Sequence, residues 1–199
     1  MRSNNLKDII IHESLRLFSL KGFISTSITD ILQAANTSKG GFYNHFASKE
    51  ELFHEVLKEA QRIWREKTLA GLDEIESPTK KIVRFLENYR DRYLKDDNNF
   101  PGGCIFVTFS VELDDQLPHL CKEVNQGFIG LKAMLKRLLD EGKGKGELNS
   151  DASTSAITEM LFAGMLGASV IYGVNKSTES LDNSINTLIH YLQKLRPQM

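Results

Sequence analysis

A short run near the N-terminus combines side chains that bind anions and the edges of bases. Between residues 38 and 49 it holds two lysines, two adjacent glycines, a phenol, an amide and an imidazole: Lys39, Gly40, Gly41, Tyr43, Asn44, His45 and Lys49. Phe42 and Phe46 lie four residues apart and share one face of a helix, which leaves the polar residues elsewhere. Two glycines in so short a helix cost about 1 kcal/mol each relative to alanine. Close approach of the backbone to a DNA major groove would explain them.

The remaining reactive side chains form no catalytic or metal-binding pattern. Glu51 and His54 have the Glu-x-x-His spacing of di-iron bundles, but no second copy exists, and Glu51 is better explained as a helix cap. Cys104 and Cys121 lack CxxC spacing, which favours two free thiols. The glycine-lysine run at 142–146 lacks the spacing of a phosphate-binding loop and predicts a flexible turn. We expect no enzymatic activity, no metal and no other cofactor.

Composition and charge indicate an ordinary globular chain with a basic N-terminal part. The 199 residues are 41% hydrophobic and 26% charged, with a net charge of −1. The first 49 residues carry six basic and three acidic side chains, so the remainder is acidic. This asymmetry favours an anionic partner for the N-terminal part alone. The longest nearly apolar run, 160–174, is shorter than the roughly 20 residues of a membrane span, and no signal peptide is recognisable. We expect a cytoplasmic, nucleoid-associated protein without a membrane partner.

Apolar residues recur at spacings of three and four along the whole chain, which predicts an all-α fold of about nine helices. A first helix ends at Gly22, a second begins after Ser27, and a third of about two turns begins after Ser38. This succession has the outline of a helix-turn-helix. Further helices are predicted at 49–70, 78–93, 104–114, 118–141, 151–174 and 178–195.

Residues 22–23, 26–31 and 34–52 resemble the N-terminal domain of the TetR family of bacterial transcriptional repressors. The string S-K-G-x-[FY]-Y-x-H-F-x-[SN]-K-x-x-L is matched from Ser38 to Leu52. The resemblance implies a homodimer with a helix-turn-helix DNA-binding domain at 1–48 and an effector-binding, dimerising helical domain at 49–199. It also implies a ligand-responsive repressor that binds a palindromic operator and is released when an effector tilts the long fourth helix. An effector-independent architectural protein, whose helical bundle binds a protein partner, is the alternative.

The same resemblance assigns roles to individual residues of the N-terminal domain. It places Lys39, Gly40 and Tyr43 against base edges, with Gly41 in the same surface. Backbone phosphates would be contacted by Ser27, Ser38, Tyr43, Asn44, His45 and Lys49. Thr29 stands where many members carry a basic residue, and Asn36 stands where glycine is commoner.

The C-terminal part offers a candidate effector site and a candidate dimer interface. Aromatic stripes with a nearby thiol suggest the lining of a pocket for a small apolar or aromatic molecule: Phe85, Tyr89, Tyr93, Cys104, Phe106 and Phe109. The alternatives are that the stripes are core and that Cys104 is either inert or a redox sensor. A narrow apolar stripe and small residues suggest a helix–helix seam, placed by resemblance at the dimer interface: Leu161, Gly164, Ala168, Leu181, Ile185, Leu188 and Leu192. These residues would equally suit the core of one subunit.

Overall fold

The computed structural model describes residues 5–197, which contain nine α-helices, one π-helix and no β-strand. The α-helices are α1 (Leu6–Lys21), α2 (Ile28–Ala34), α3 (Lys39–Tyr43), α4 (Lys49–Thr68), α5 (Pro78–Asn88), α6 (Ile105–Glu112), α7 (Pro118–Gly144), α8 (Thr154–Asn175) and α9 (Thr178–Lys194). The π-helix, Tyr89–Leu94, follows α5 directly. The predicted all-α fold is confirmed.

The helices form two compact units. The first unit contains the described residues up to Trp64 together with Asp96–Val124, and the second contains Arg65–Lys95 together with the described residues from Asn125 onwards. Helices α4 and α7 contribute residues to both units. These units do not coincide with the division at residue 48 that the sequence suggests, and that functional division stays a prediction.

Capping residues set the ends of the N-terminal helices. Asn5 caps α1 by accepting from the backbone N–H of Asp8, and Gly22 ends it with φ of 81°, a conformation that favours glycine. Asn36 turns the chain after α2 with φ of 47°, which asparagine tolerates better than most residues. Both breaks lie where the sequence predicts them.

Four phenylalanine rings form the centre of the first unit. Phe23 packs edge-on against Phe18 and Phe53, with ring centroids 5.4 and 5.1 Å away. Phe109 of α6 lies 4.8 Å from Phe53 and 6.1 Å from Phe18. All four side chains are buried. Such aromatic pairs contribute about 0.5–1.5 kcal/mol each beyond the area they bury. The rings therefore join α1, α4 and α6 into one core.

The C-terminal half of α1 also contacts the loop before α6. The hydroxyl of Ser19 accepts from the N–H of Gly102 at 3.0 Å and donates to the carbonyl of Gly103 at 3.3 Å. Arg16 donates to the carbonyls of Asp97 and Asn98. A Cβ on Gly102 would lie 1.7 Å from the carbonyl oxygen of Ser19, so only glycine allows this approach.

In the second unit α8 packs against α9, and the predicted seam residues fill that contact within one chain. Five of them are buried there: Leu161, Ala168, Leu181, Ile185 and Leu192. A Cβ on Gly164 would meet the side chain of Leu188 at 2.7 Å. The stripe therefore serves the core of the subunit, which sequence spacing alone does not distinguish from a dimer seam. Burial within one chain favours the core alternative, and the assignment of these residues to a dimer interface stays a prediction.

Three helices depart from the sequence-based expectation by more than small shifts of their ends. Helix α3 has five residues rather than about two turns. The predicted helix 78–93 changes to a π-helix at Tyr89. Helix α7 continues through Gly144 instead of ending at a flexible turn, and Gly146, with φ of 71°, follows its end. Gly142 faces Thr79 of α5, where an added Cβ would approach to 3.0 Å, so this glycine serves packing rather than flexibility.

Helix α8 has the length and apolarity of a membrane span, with a mean hydropathy of 1.5 in its most apolar window. Buried helices of globular proteins meet the same criterion, and 39% of that window is buried. The expectation of a chain without a transmembrane segment therefore remains a prediction.

The close approach of α1 to Gly102 predicts a large effect of one methyl group. Gly102→Ala should lower the free energy of unfolding by about 2 kcal/mol or more, because the new Cβ meets backbone rather than a movable side chain. Gly127→Ala is the matched control in α7. Nothing lies within 4 Å of its added Cβ, so it should gain up to about 1 kcal/mol of helix propensity. Thermal unfolding measures both, and equal melting temperatures would contradict the predicted contact.

Candidate DNA-binding surface

Helix α2 begins with a reciprocal pair of hydrogen bonds. The hydroxyl of Ser27 accepts from the N–H of Asp30 at 3.1 Å, and the carboxylate of Asp30 accepts from the N–H of Ser27 at 2.8 Å. The bond from the Ser27 backbone, then the bond from its hydroxyl, lower the pKa of Asp30. The capping box predicted from the sequence is confirmed, and it fixes the start of the first helix of the helix-turn-helix.

Helix α3 presents polar side chains on one side and buries two aromatic rings on the other. The Ser38 hydroxyl caps it by accepting from the N–H of Gly41 at 3.1 Å. Phe42 and Phe46 are buried, with centroids 5.6 Å apart. Tyr43 is 45% exposed and packs edge-on against Phe42 at 5.2 Å. The predicted DNA contacts that are exposed are Ser27, Thr29, Ser38, Lys39, Gly40, Tyr43, Asn44 and His45.

The two glycines of α3 differ in the space that surrounds them. A Cβ on Gly41 would lie 2.4 Å from the Thr37 hydroxyl and 3.3 Å from Leu6, so internal packing requires glycine there. A Cβ on Gly40 would meet nothing closer than the Ser38 hydroxyl at 3.8 Å. Gly40 is exposed, and the described protein atoms do not demand it. Close approach by an external molecule therefore remains an explanation for the glycine at position 40 only.

Lys49 lies in a different environment from the one the sequence suggested. Its ammonium donates to the carbonyls of Phe23 and Thr26, both at 2.9 Å, and to that of Ile24 at 3.4 Å. It also lies 4.4 Å from the centroid of the Phe23 ring. Burial lowers the pKa of Lys49, while the charge of Glu112 opposes that shift. The three carbonyls occupy the donors that the sequence analysis assigned to a phosphate.

Glu112, which no sequence pattern singles out, contacts the turn before α2. The carboxylate of Glu112, the last residue of α6, accepts from the backbone N–H groups of Phe23 and Ile24, both at 2.7 Å. These residues are 88 or more positions away along the chain. No local spacing indicates such a contact, because it depends on where α6 lies in the folded first unit.

The aromatic stripe Phe85-Tyr89-Tyr93 lies buried in the second unit. Adjacent rings are nearly parallel, with centroids 6.5 and 5.6 Å apart. The phenol of Tyr89 lies 3.5 Å from the carbonyl oxygen of Met165 in α8, to which it donates. The π-helix contains two of these rings, and π-helical turns are frequent at functional sites.

The other candidate effector residues lie in the first unit. Cys104 and Phe106 are buried at the start of α6, and Phe109 belongs to the four-phenylalanine core. Cys104 and Cys121 are free thiols, as predicted. Burial, followed by the charge of Asp114, raises the pKa of Cys121. The role of Cys104, Phe106 and Phe109 as pocket lining stays a prediction, and the contacts of Phe109 favour its alternative as core.

An open cleft of about 810 Å³ lies between α1 and α4 in the first unit. Its walls are mainly charged, with Asp8, Glu13, Glu55, Lys58 and Arg62 among them. None of the predicted effector residues lines it. Among residues 5–197 no group of three or more His, Cys, Asp and Glu side chains is placed to hold a metal ion. Glu51 instead acts at the start of α4, where it accepts from the N–H of Ala47 at 2.6 Å.

Three N-terminal helices, the last two short and the third with an exposed polar face, define a helix-turn-helix DNA-binding protein of the transcription-regulator class. Two family models match the chain. The family described as "Bacterial regulatory proteins, tetR family" matches residues 10–56, and "Tetracyclin repressor-like, C-terminal domain" matches residues 78–188. The chain belongs to the TetR family. TetR regulators bind operator DNA and form dimers.

Similar proteins agree with this assignment over nearly the whole chain. The HTH-type transcriptional repressor DhaR of Mycobacterium sp. (strain GP1) is 25% identical over 96% of this chain and 94% of its own length. A TetR transcriptional regulator from Chloroflexus aurantiacus superposes with a TM-score of 0.86 at 26% identity, covering 95% of this chain and 94% of its own. A cysteine mutant of the TetR-family regulator CifR, solved with 26-bp operator DNA, has the same fold, with a TM-score of 0.78 at 19% identity over 92% and 94% of the two chains.

The capping box predicts a linked loss of stability and change of titration. Ser27→Ala should lower the free energy of unfolding by about 1 kcal/mol, because one N–H at the start of α2 loses its acceptor. The pKa of Asp30 should rise towards its ordinary value as the hydroxyl bond is lost.

Because the folded pKa of Asp30 is lowered, its ionised form stabilises the fold above the ordinary aspartate pKa, and this contribution is lost as pH falls through the folded value. The acid-sensitive contribution should be smaller in Ser27→Ala. Carboxyl titration by NMR, with chemical unfolding at neutral and acidic pH, measures both effects. An unchanged Asp30 pKa in the variant would contradict the assignment.

Proposed function

We propose that the chain is a ligand-responsive repressor that binds a palindromic operator as a homodimer and is released by a small apolar or aromatic effector. The observation that carries the proposal is the division of α3 into a buried aromatic side and an exposed side with Lys39, Gly40 and Tyr43. A helix held in this way presents side chains to a major groove while its other face stays in the protein.

Within this proposal, base edges are contacted by Lys39 and Tyr43, with the backbone of Gly40 approaching closely. Polar groups around the surface contact phosphates and fix the orientation of α3: Ser27, Ser38, Tyr43, Asn44 and His45. Thr29 belongs to the same DNA-binding surface. For Lys49 the phosphate contact stays a prediction. Its ammonium is bound to three carbonyls, which favours a second role in support of the α1–α2 turn.

The homodimer is supported by an exposed apolar strip on α8. Val170, Ile171 and Val174 are 47%, 47% and 83% exposed, and the exposed Ala163 and Gly167 precede them at helical spacing. This strip lies apart from the buried residues of the α8–α9 contact and offers small and β-branched side chains to a second copy. Two recognition helices related by a two-fold axis would read half-sites about 34–36 Å apart, which requires a palindromic operator.

The effector is proposed to act at the Phe85-Tyr89-Tyr93 stripe. Three aromatic rings with two phenol groups provide the apolar surface and polar tips that an aromatic ligand needs. Ion pairs bind the π-helix and the residue that follows it to α9, since Arg90 lies 3.5 Å and Lys95 3.0 Å from the carboxylate of Asp182. A ligand that changes the π-helix would therefore act on the helix pair proposed to form the dimer. The coupling is expected to be about 1–3 kcal/mol and reciprocal between effector and operator.

DNA recognition is tested with an operator selected from a random double-stranded library. Tyr43→Ala should weaken binding at least about tenfold, which corresponds to the 1–3 kcal/mol of a good base contact. Lys39→Ala should weaken binding too, but it should not lower the salt slope by the full unit expected for a phosphate contact. Fluorescence anisotropy across a salt series measures both quantities.

Lys80→Ala is the matched control, because Lys80 is an exposed lysine of α5. Wild-type affinity in Tyr43→Ala, or equal losses in Lys39→Ala and Lys80→Ala, would contradict the proposed surface. Equal binding of the wild type to selected and scrambled DNA would favour the architectural alternative.

The proposed dimer is tested by placing a charge in the α8 strip. Val174→Glu should convert the dimer to a monomer at micromolar concentration, because a carboxylate would be buried without a partner in the apolar interface. Ile129→Glu in α7 is the control, since Ile129 is similarly exposed at 50%. Light scattering after size-exclusion chromatography gives the mass. A dimeric Val174→Glu variant, or a monomeric Ile129→Glu variant, would move the interface away from α8.

A further inference from the structure

Two side chains of opposite charge bind the turn between α1 and α2, residues 22–26. The two carboxylate oxygens of Glu112 accept from consecutive backbone N–H groups, those of Phe23 and Ile24, both at 2.7 Å. The ammonium of Lys49 donates to three carbonyls of the same turn. The negative group thus meets the donors and the positive group meets the acceptors, so both charges stabilise one orientation of these peptide units.

The carboxylate of Glu112 lies so close to the turn that it leaves no room for a side chain at position 22. A Cβ on Gly22 would lie 2.5–2.6 Å from the three atoms of the Glu112 carboxylate group. Gly22 also has φ of 81°, so both conformation and space favour glycine at this position. Its Phe23 neighbour inserts its ring between Phe18 and Phe53. The turn is therefore anchored by its side chain below and by Glu112 and Lys49 at its backbone.

We propose that Glu112 is a positioning residue for operator binding. It holds the turn from which α2 and α3 depart, so it sets the direction of the recognition helix without contacting DNA. This inference rests on the proposed function. Without the carboxylate, α2 and α3 sample orientations that do not fit the groove, and the apparent affinity falls by the fraction of molecules in the binding-competent state. Because Glu112 ends α6, a shift of α6 is passed directly to the turn.

The chemistry of the contact explains why a carboxylate is needed. Two N–H donors require two acceptor oxygens, and glutamate supplies both. Glu112→Gln keeps the length but replaces one oxygen by an NH₂ donor that faces an N–H. Glu112→Asp keeps both oxygens and the charge, but its side chain is one methylene shorter, so the carboxylate lies farther from the two N–H groups. We expect Glu112→Gln to be the more severe change, with Glu112→Asp intermediate.

The decisive measurement is operator affinity of the full-length protein, by anisotropy with the selected operator. Glu112→Gln should raise the Kd at least fivefold with an unchanged salt slope, because no phosphate contact is lost. Asp115→Asn is the matched control, as Asp115 is an exposed acid shortly after α6. Removing a negative charge near DNA by itself strengthens binding. Asp115→Asn should therefore bind the operator at least as tightly as the wild type, whereas Glu112→Gln should bind it more weakly.

Hydrogen exchange of the free protein provides a second readout that needs no DNA. In Glu112→Gln the amides of Phe23 and Ile24, and those of α2 and α3, should exchange faster, while the amides of α8 and α9 are unchanged. A merely structural role would instead lower protection throughout the molecule. If Glu112→Gln does not fold, the same two measurements on Glu112→Asp decide the question.

The outcomes separate this inference from the proposed function. Wild-type affinity and wild-type exchange in both Glu112 variants would overturn the positioning role. If the wild type selects no operator, the proposed function fails. Faster exchange confined to residues 22–44 would then still support Glu112 as the residue that orients α3, and unchanged exchange would overturn it.

Discussion

The burial of Phe23 between α1 and α4 is the contact on which the first unit depends. Its ring packs on Phe18 and Phe53, and Phe109 closes the group from α6. Close-packed aromatic rings leave little freedom to the backbone that carries them, so this packing restrains the position of the turn at residues 22–26. Glu112 and Lys49 then bind the peptide groups of that turn. Apolar packing sets the place of the turn, and the two charges set its orientation.

Helix α3, the proposed recognition helix, is ordered by its contacts with the rest of the first unit. Five residues are too few for an independent helix in water, where nucleation is unfavourable and segments shorter than about 12–15 residues are marginal. The Ser38 cap and the buried rings of Phe42 and Phe46 hold α3 in place, so its exposed side chains need not support it. This separation lets the surface residues be chosen for a ligand, and it accounts for an exposed Gly40 in a helix.

The second unit combines its own core with surfaces that suit regulation. Helices α8 and α9 bury the leucine stripe against each other, while Val170, Ile171 and Val174 remain outside that contact. The π-helix brings aromatic rings inward and places Arg90 and Lys95 on Asp182 of α9. A π-helical turn accommodates an extra residue per turn at some cost in hydrogen-bond geometry. It is therefore a natural position at which a ligand could change the backbone.

Many features of this protein can be predicted from residues that are close together in the sequence. The helical periodicity, the Ser27 and Ser38 caps, the breaks at Gly22 and Asn36, and the polar face of α3 depend on residues within one or two turns of each other. The family follows from the same stretch. Tertiary structure alone decided four points: that Gly41 is needed for packing, that Lys49 binds carbonyls, that Glu112 reaches the α1–α2 turn, and that the leucine stripe of α9 is buried within one chain. Each depends on atoms brought together from distant parts of the chain or on which neighbour fills a given space, and spacing along a sequence encodes neither.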